Sequence, residues 1–205
     1  MYLNVVLPVS TSRLRVRAML LGLIALFLTP LVAAVLLVGH WRPQAHAEHG
    51  ELLDPARPLP VLALHELDGS SLSEQPWQHR WTLVYVAGDA QCAKTCQAAL
   101  YRLRQVQIAT GRDSDRVQRL ALWPQTPTGL TADWLAREHG GLRSVLLSRD
   151  QVRPLTDAWS VSGVPGGWIY LVDPLGNLLL RYPAEGDASG MLSDLTRLLK
   201  LSKIG

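Results

Sequence analysis

The chain has 205 residues, enough for one domain and an appendage. It carries 20 Lys and Arg against 17 Asp and Glu, and three of the cations, Arg13, Arg15 and Arg17, lie at its start. Residues 41–205 therefore hold 17 charges of each sign. The basic pI comes from the N-terminal arm, which excludes a nucleic-acid surface as its source.

Residues 1–17 read as a cytoplasmic arm and residues 18–39 as a transmembrane helix. Ala18 to Gly39 holds 22 residues without a charge, about 33 Å as a helix and enough to cross a bilayer core. Pro30 lies inside it, which membrane helices tolerate better than soluble ones. The arginines precede the span, so the positive-inside rule leaves the N-terminus in the cytoplasm and sends the rest outside. A cleaved signal peptide is the rival reading, with Ala45-His46-Ala47 as its small-x-small site. The apolar run is longer than a signal h-region of ~7–15 residues, and this favours the anchor.

Residues 40–60 read as a Pro-rich tether, with Pro43, Pro55, Pro58 and Pro60 and no apolar periodicity. Trp41 suits a membrane interface. His40, His46 and His49 are close in sequence, but with no scaffold to hold them they read as a solvated linker rather than a metal site.

Residues 61–205 form the expected domain. Val61 to Leu67 alternates and ends at Asp68-Gly69, as an edge strand running into a turn does. A buried strand begins at Trp81, and its stretch Leu83 to Val86 is β-branched and aromatic-rich, the pattern of a central strand. Gly88 and Asp89 end it. From Cys96 the apolar residues Cys96, Leu100, Leu103 and Val106 fall at helical spacing as far as Gly111. Val117 to Trp123 is the next strand. Thr131 is the expected cap of a helix reaching about Glu138, stopped by Gly140-Gly141. Ser144 to Leu147 is a short strand and Asp150 to Trp159 a short helix. Gly167 to Val172 and Leu178 to Tyr182 form a hairpin around Asp173-Pro174-Leu175-Gly176-Asn177. Asp187 to Leu201 is an amphipathic last helix with Met191, Leu195, Leu198 and Leu199 on its core face. This order predicts an α/β fold with a mixed sheet covered on both faces. No Gly-rich phosphate loop is present, since Gly163 to Gly167 lacks the spacing and the Lys.

Cys92 and Cys96 are the chain's two cysteines, and they fall at the strand-to-helix junction. Cys92 sits at or just before the first helical turn, where the positive end of the helix dipole and nearby Lys94 favour a thiolate. It is the candidate attacking thiol, with Cys96 its partner; two inert buried cysteines are the bland alternative. In a regular helix the Cβ atoms of residues i and i+4 are ~5–6 Å apart, whereas a disulfide needs about 3.5–4.5 Å. The pair therefore closes only if Cys92 leaves helical geometry.

The anchor, the tether, Gly88-Asp-Ala-Gln-Cys92-Ala-Lys-Thr-Cys96 and Trp168-Ile-Tyr-Leu-Val-Asp-Pro-Leu-Gly-Asn177 together resemble the Sco/SenC family. These are membrane-anchored, thioredoxin-like proteins of cytochrome c oxidase assembly. The resemblance covers roughly Pro58 to Leu201 and rests first on the C-x-x-x-C pair. It implies a thioredoxin-like fold, a periplasmic domain on a bacterial inner membrane, and copper handling or thiol reduction at the oxidase's copper-binding subunit. The family binds copper through two cysteines and a histidine just ahead of the hairpin. Here that position falls at Pro165, and no histidine occurs between Gly140 and Gly205. Val164-Pro165 instead looks like the thioredoxin motif whose cis proline packs on the redox pair; a plain strand-entry proline is the alternative.

Three functions remain open from the residues and the resemblance. The first is thiol–disulfide exchange through Cys92, Cys96 and Pro165 in oxidase assembly. The second is Cu(I) delivery, because two thiolates suit soft Cu(I) without a histidine. The third is a non-catalytic assembly scaffold. His65, His79 and His139 are the histidines able to approach the pair in space. Of these, His139 reads as a dipole partner at a helix C-terminus and His79 as exposed.

Overall fold

The computed structural model describes residues 11–40, 49–159 and 167–205. It divides into two compact units, residues 1–46 and 47–205.

In the first unit, α1 (Thr11–His40) is a helix of 30 residues with Pro30 inside it. Its segment Arg15–Leu36 has a mean hydropathy of 2.6 and no buried residue. It is long and apolar enough to cross a membrane as a single anchor.

The second unit is a seven-stranded mixed sheet in the order β1-β7-β6-β3-β4-β5-β2. Its strands are β1 (Glu51–Pro58), β2 (His65–Glu66), β3 (Trp81–Val86), β4 (Val117–Trp123), β5 (Leu142–Leu146), β6 (Trp168–Val172) and β7 (Asn177–Pro183). Strand β3 runs parallel to β4, and β4 parallel to β5. The remaining pairings, β3–β6, β6–β7, β1–β7 and β2–β5, are antiparallel. All six residues of β3 are buried, five of them apolar and the sixth Thr82, as expected of a strand covered on both faces.

The alternation of β3 separates the two layers of core. Leu83 and Tyr85 face α2 (Lys94–Ala109) and α5 (Ala188–Leu201), packing with Leu100, Leu103, Met191 and Leu195. Val84 and Val86 face the other side, with Trp77, Leu147, Tyr170 and Leu155 of α4 (Arg149–Trp159). Trp134 and Leu135 of α3 (Gly129–Glu138) complete the first layer. Asp187 caps α5, accepting the Ser189 N–H at 3.0 Å. At its other end, Arg116 donates to the carbonyl of Leu199, one of the acceptors the helix leaves over, and to those of Ser202, Ile204 and Gly205 just beyond it.

Three local expectations are corrected. The stretch read as tether contains strand β1, which pairs Glu51 with Arg181 and Pro58 with Asn177. Its register breaks between Leu52 and Arg57. An edge position and an irregularity are what let a strand hold Pro55 and Pro58. In Val61 to Leu67, only His65 and Glu66 are strand. Leu62 is instead held by the Gln75 amide, which bonds its N–H at 3.2 Å and its carbonyl at 2.9 Å. Finally, Thr131 does not cap α3. That helix starts at Gly129 with Thr128 as its N-cap, and the Thr131 hydroxyl goes elsewhere.

Candidate functional site

The buried run of β3 fixes where the loop 88–93 begins, and α2 fixes where it ends. Between them Cys92 and Cys96 form a disulfide with a Cα–Cα separation of 5.0 Å. Cys96 lies in the first turn of α2, while Cys92 precedes the N-cap, Ala93. The backbone of Cys92 is left-handed, at φ +49°. This is the departure from helical geometry that the spacing requires, and for an L-residue it costs about 1–2 kcal/mol.

Two side chains hold that conformation. Asp89 Oδ1 accepts the N–H groups of Gln91 at 2.9 Å and of Cys92 at 3.0 Å. The Gln97 amide donates to the Cys92 carbonyl at 3.0 Å. The Thr131 hydroxyl donates to the Gln91 carbonyl at 2.9 Å and so ties the loop to α3. On the opposite side the Thr95 hydroxyl donates to Glu185 Oε1 at 2.6 Å, and Arg102 donates to the Ala184 carbonyl. An Asp three residues before Cys92 is a turn signal legible in the sequence. Gln97 and Thr131 carry no such signal, because their role depends on which loop passes over them.

Both cysteines are buried, Cys92 at 1% exposure and Cys96 at 6%. An open groove of about 440 Å³ lies beside the loop, lined by Gln91, Gln97, Thr128, Leu130, Thr131 and Trp134. Below the pair, burial and the Asp89 charge push the Tyr85 phenol up to about 12, so it stays protonated at neutral pH. Ala93 offers no side chain to cap α2, which leaves the positive helix end turned toward the cysteines. The arrangement can open and close one sulfur–sulfur bond next to a groove.

The histidines do not join the pair. None of the three lines the groove. His79 is exposed, near Glu74 at 3.9 Å. His65 pairs with Leu146 in β2 at the sheet edge. His139 is corrected from a dipole partner to a core residue. It is 3% exposed and its ring meets Trp134 edge-on at 4.5 Å. Burial first, then Arg119 and Arg104, lower its pKa, so it stays neutral and offers α3 no charge. Of the three histidines near the tether, His49 binds Asp194, His40 ends α1, and His46 lies outside the described residues. Pro165 also lies outside them. Among the described residues no group of three or more His, Cys, Asp or Glu could hold a metal ion.

A family model described as transmembrane-like, thioredoxin-like, C-terminal domain matches residues 81–202, more than half of the chain. No curated protein matches the chain in sequence. Among solved structures, yeast Sco1 is similar at a TM-score of 0.59 and 16% identity, covering 73% of this chain and 98% of its own. Copper-bound ScoI of Arabidopsis thaliana has a TM-score of 0.55 at 15% identity, covering 75% and 99%. BsSco, described as a member of the Sco family of cytochrome c oxidase assembly proteins, has 0.56 at 14%, covering 75% and 98%. At these identities the likeness establishes a shared thioredoxin-like fold.

Proposed function

The chain belongs to the transmembrane-like, thioredoxin-like C-terminal domain family, and from that premise we propose that it is a membrane-anchored thiol–disulfide protein of cytochrome c oxidase assembly. The observation that carries this reading is the disulfide between Cys92 and Cys96 at the β3–α2 junction. The Sco-like fold supports the assembly context, since BsSco is described as belonging to that class.

In the proposed cycle the reduced chain acts on a disulfide of its partner. The Cys92 thiolate attacks one partner sulfur and releases the other as a thiolate, leaving a mixed disulfide. Cys96 then attacks Cys92 and frees the partner as a dithiol. The partner gains two electrons and two protons, and this chain ends with the bond seen here. A second dithiol must then reduce it again. Cys92 suits the attacking role because it lies outside α2. Swinging it out breaks its bonds to Asp89 and Gln97 and no helical hydrogen bond. Pro165 would sit against the pair, as in thioredoxins. The partner is the oxidase's copper-binding subunit or another assembly factor, and the domain stands on the periplasmic side of a bacterial inner membrane, in keeping with Arg13, Arg15 and Arg17 ahead of the span.

Copper delivery is the second reading, favoured by the copper-bound state of the Arabidopsis neighbour. After reduction, Cys92 and Cys96 would hold Cu(I) as two thiolates. With no histidine at position 165, Cu(II) would find only sulfur donors and oxidise them.

One experiment separates the two. The reduced protein is offered a disulfide-bonded peptide carrying the partner's cysteine motif, then titrated anaerobically with Cu(I). Stoichiometric peptide reduction, lost in Cys92→Ser, with Cu(I) held no more tightly than by a free dithiol, supports exchange. Tight one-to-one Cu(I) binding with no peptide reduction would favour delivery. Pro165→His should add the family's third ligand, raising Cu(II) affinity and producing a thiolate-to-copper absorption band.

A further inference from the structure

A second surface, made of other residues than the disulfide site, has a composition of its own. Strands β1 and β7 and helix α5 enclose an apolar groove of about 270 Å³, lined by Leu52, Leu179, Leu198, Leu201, Asp194 and Arg197. Leu52 is half exposed and Leu201 is 75% exposed. The adjoining hollow is rimmed by Arg197 and Lys200. Both cations are exposed, and among the described residues no carboxylate stands within ion-pair distance of either. The acids nearby are already engaged. Glu51 is held by Arg181 at 2.7 Å, and Asp194 is buried and accepts from His49, Gly50 and Tyr182.

We propose that this groove takes one anionic phospholipid, with its acyl carbons against Leu52, Leu198 and Leu201 and its phosphate at Arg197 and Lys200. An apolar floor that ends in free cations complements an amphiphile with a charged head. The supply of such a molecule follows from the chain itself. Leu52, in the wall of the groove, comes twelve positions after His40, the last residue of the apolar helix α1. The proposal rests on the reading of α1 as a retained anchor.

The test uses the full chain in nanodiscs doped with acyl-photoactivatable phosphatidylglycerol or phosphatidylcholine. Phosphatidylglycerol should label the peptides containing Leu52 and Leu198–Leu201 several-fold more than phosphatidylcholine does. The double variant R197Q/K200Q should lower that labelling several-fold and leave phosphatidylcholine labelling unchanged. Both side chains are exposed, so an unchanged urea midpoint will show that the variant folds. Equal labelling by the two lipids, or labelling indifferent to R197Q/K200Q, overturns the proposal while the anchor stands. Loss of the chain from the nanodisc removes the anchor and this proposal with it.

Discussion

Asp194, in the middle of α5, accepts the backbone N–H of His49 at 2.8 Å across 145 positions of sequence. The same carboxylate takes the Gly50 N–H at 3.0 Å, the Tyr182 hydroxyl at 2.9 Å and, on its other oxygen, the His49 ring nitrogen at 3.2 Å. One buried acid, 3% exposed, thus fixes where the chain joins the domain. A buried carboxylate is stable only when such donors replace its water.

Asp194→Ala should cost about 2–4 kcal/mol in urea unfolding, because it strands buried donors as well as removing charge-assisted bonds. Tyr182→Phe removes one of those bonds and should cost about 1 kcal/mol. Equal losses for the two variants would show that the His49 and Gly50 bonds contribute nothing.

Glycine-to-alanine changes should invert their usual sign at two places. In a helix, where Gly190 lies, Ala is ordinarily better than Gly by about 1 kcal/mol, and outside one the change gains about 0.4–1 kcal/mol where the backbone allows it. At Gly190, however, an added Cβ would stand 2.6 Å from His49 Cβ, and at Gly50 it would stand 2.5 Å from the Tyr182 ring. The first neighbour is tied to the main chain and the second is a buried ring, so neither yields cheaply. Gly190→Ala and Gly50→Ala should each destabilise by about 1–3 kcal/mol, measured by thermal melting.

His139 should make the domain acid-sensitive. Its folded pKa lies below the ordinary value of 6.5, because burial and then Arg119 and Arg104 disfavour the imidazolium. As pH falls through 6.5 the unfolded chain takes a proton that the folded one refuses, so stability drops with decreasing pH. Its contribution is complete above 6.5 and is lost on the way down to the folded pKa. His139→Leu should flatten the plot of urea midpoint against pH in that window. An unchanged slope would mean that His139 titrates alike in both states.

Reduction should destabilise the domain modestly. The bond closes a loop of five residues, which the chain-entropy relation values at about 2 kcal/mol. Release of the left-handed Cys92 returns part of that. The melting temperature should fall on reduction by an amount equivalent to about 1–2 kcal/mol. In the reduced protein Cys92 should alkylate before Cys96, which is held in the first turn of α2. The opposite order would assign attack to Cys96.

How much of this was legible depends on where each element finds its partners. Strand β3 appears in the sequence because a strand buried on both faces is rich in β-branched and aromatic residues, and β4 because Val117 and the stretch Leu120 to Trp123 are apolar. The β6–β7 hairpin appears because Asp173 to Asn177 closes its turn locally, Asp173 Oδ1 accepting from Leu175 at 2.9 Å and Asn177 at 2.8 Å. Helix α5 was legible for a similar reason: its apolar residues repeat at the helical period and Asp187 caps it. Strand β1 was not legible, since it alternates poorly, contains two prolines and pairs with a strand about 130 positions away. His139 misled because a histidine at a helix end usually faces water, and only the packing of Trp134 shows that this one does not.

The sequence by itself determined that two cysteines stand where a buried strand becomes a helix, and that they could join only if Cys92 left the helix. Both follow from local geometry, since backbone periodicity and the reach of a side chain act within a few residues. Tertiary structure decided what secures that site and the domain's first residues: Thr131 on Gln91, Glu185 on Thr95, Asp194 on His49. A hydrogen bond between groups distant in sequence leaves no periodic trace in either segment. Its partners are chosen by the register of the sheet and the packing of helices upon it.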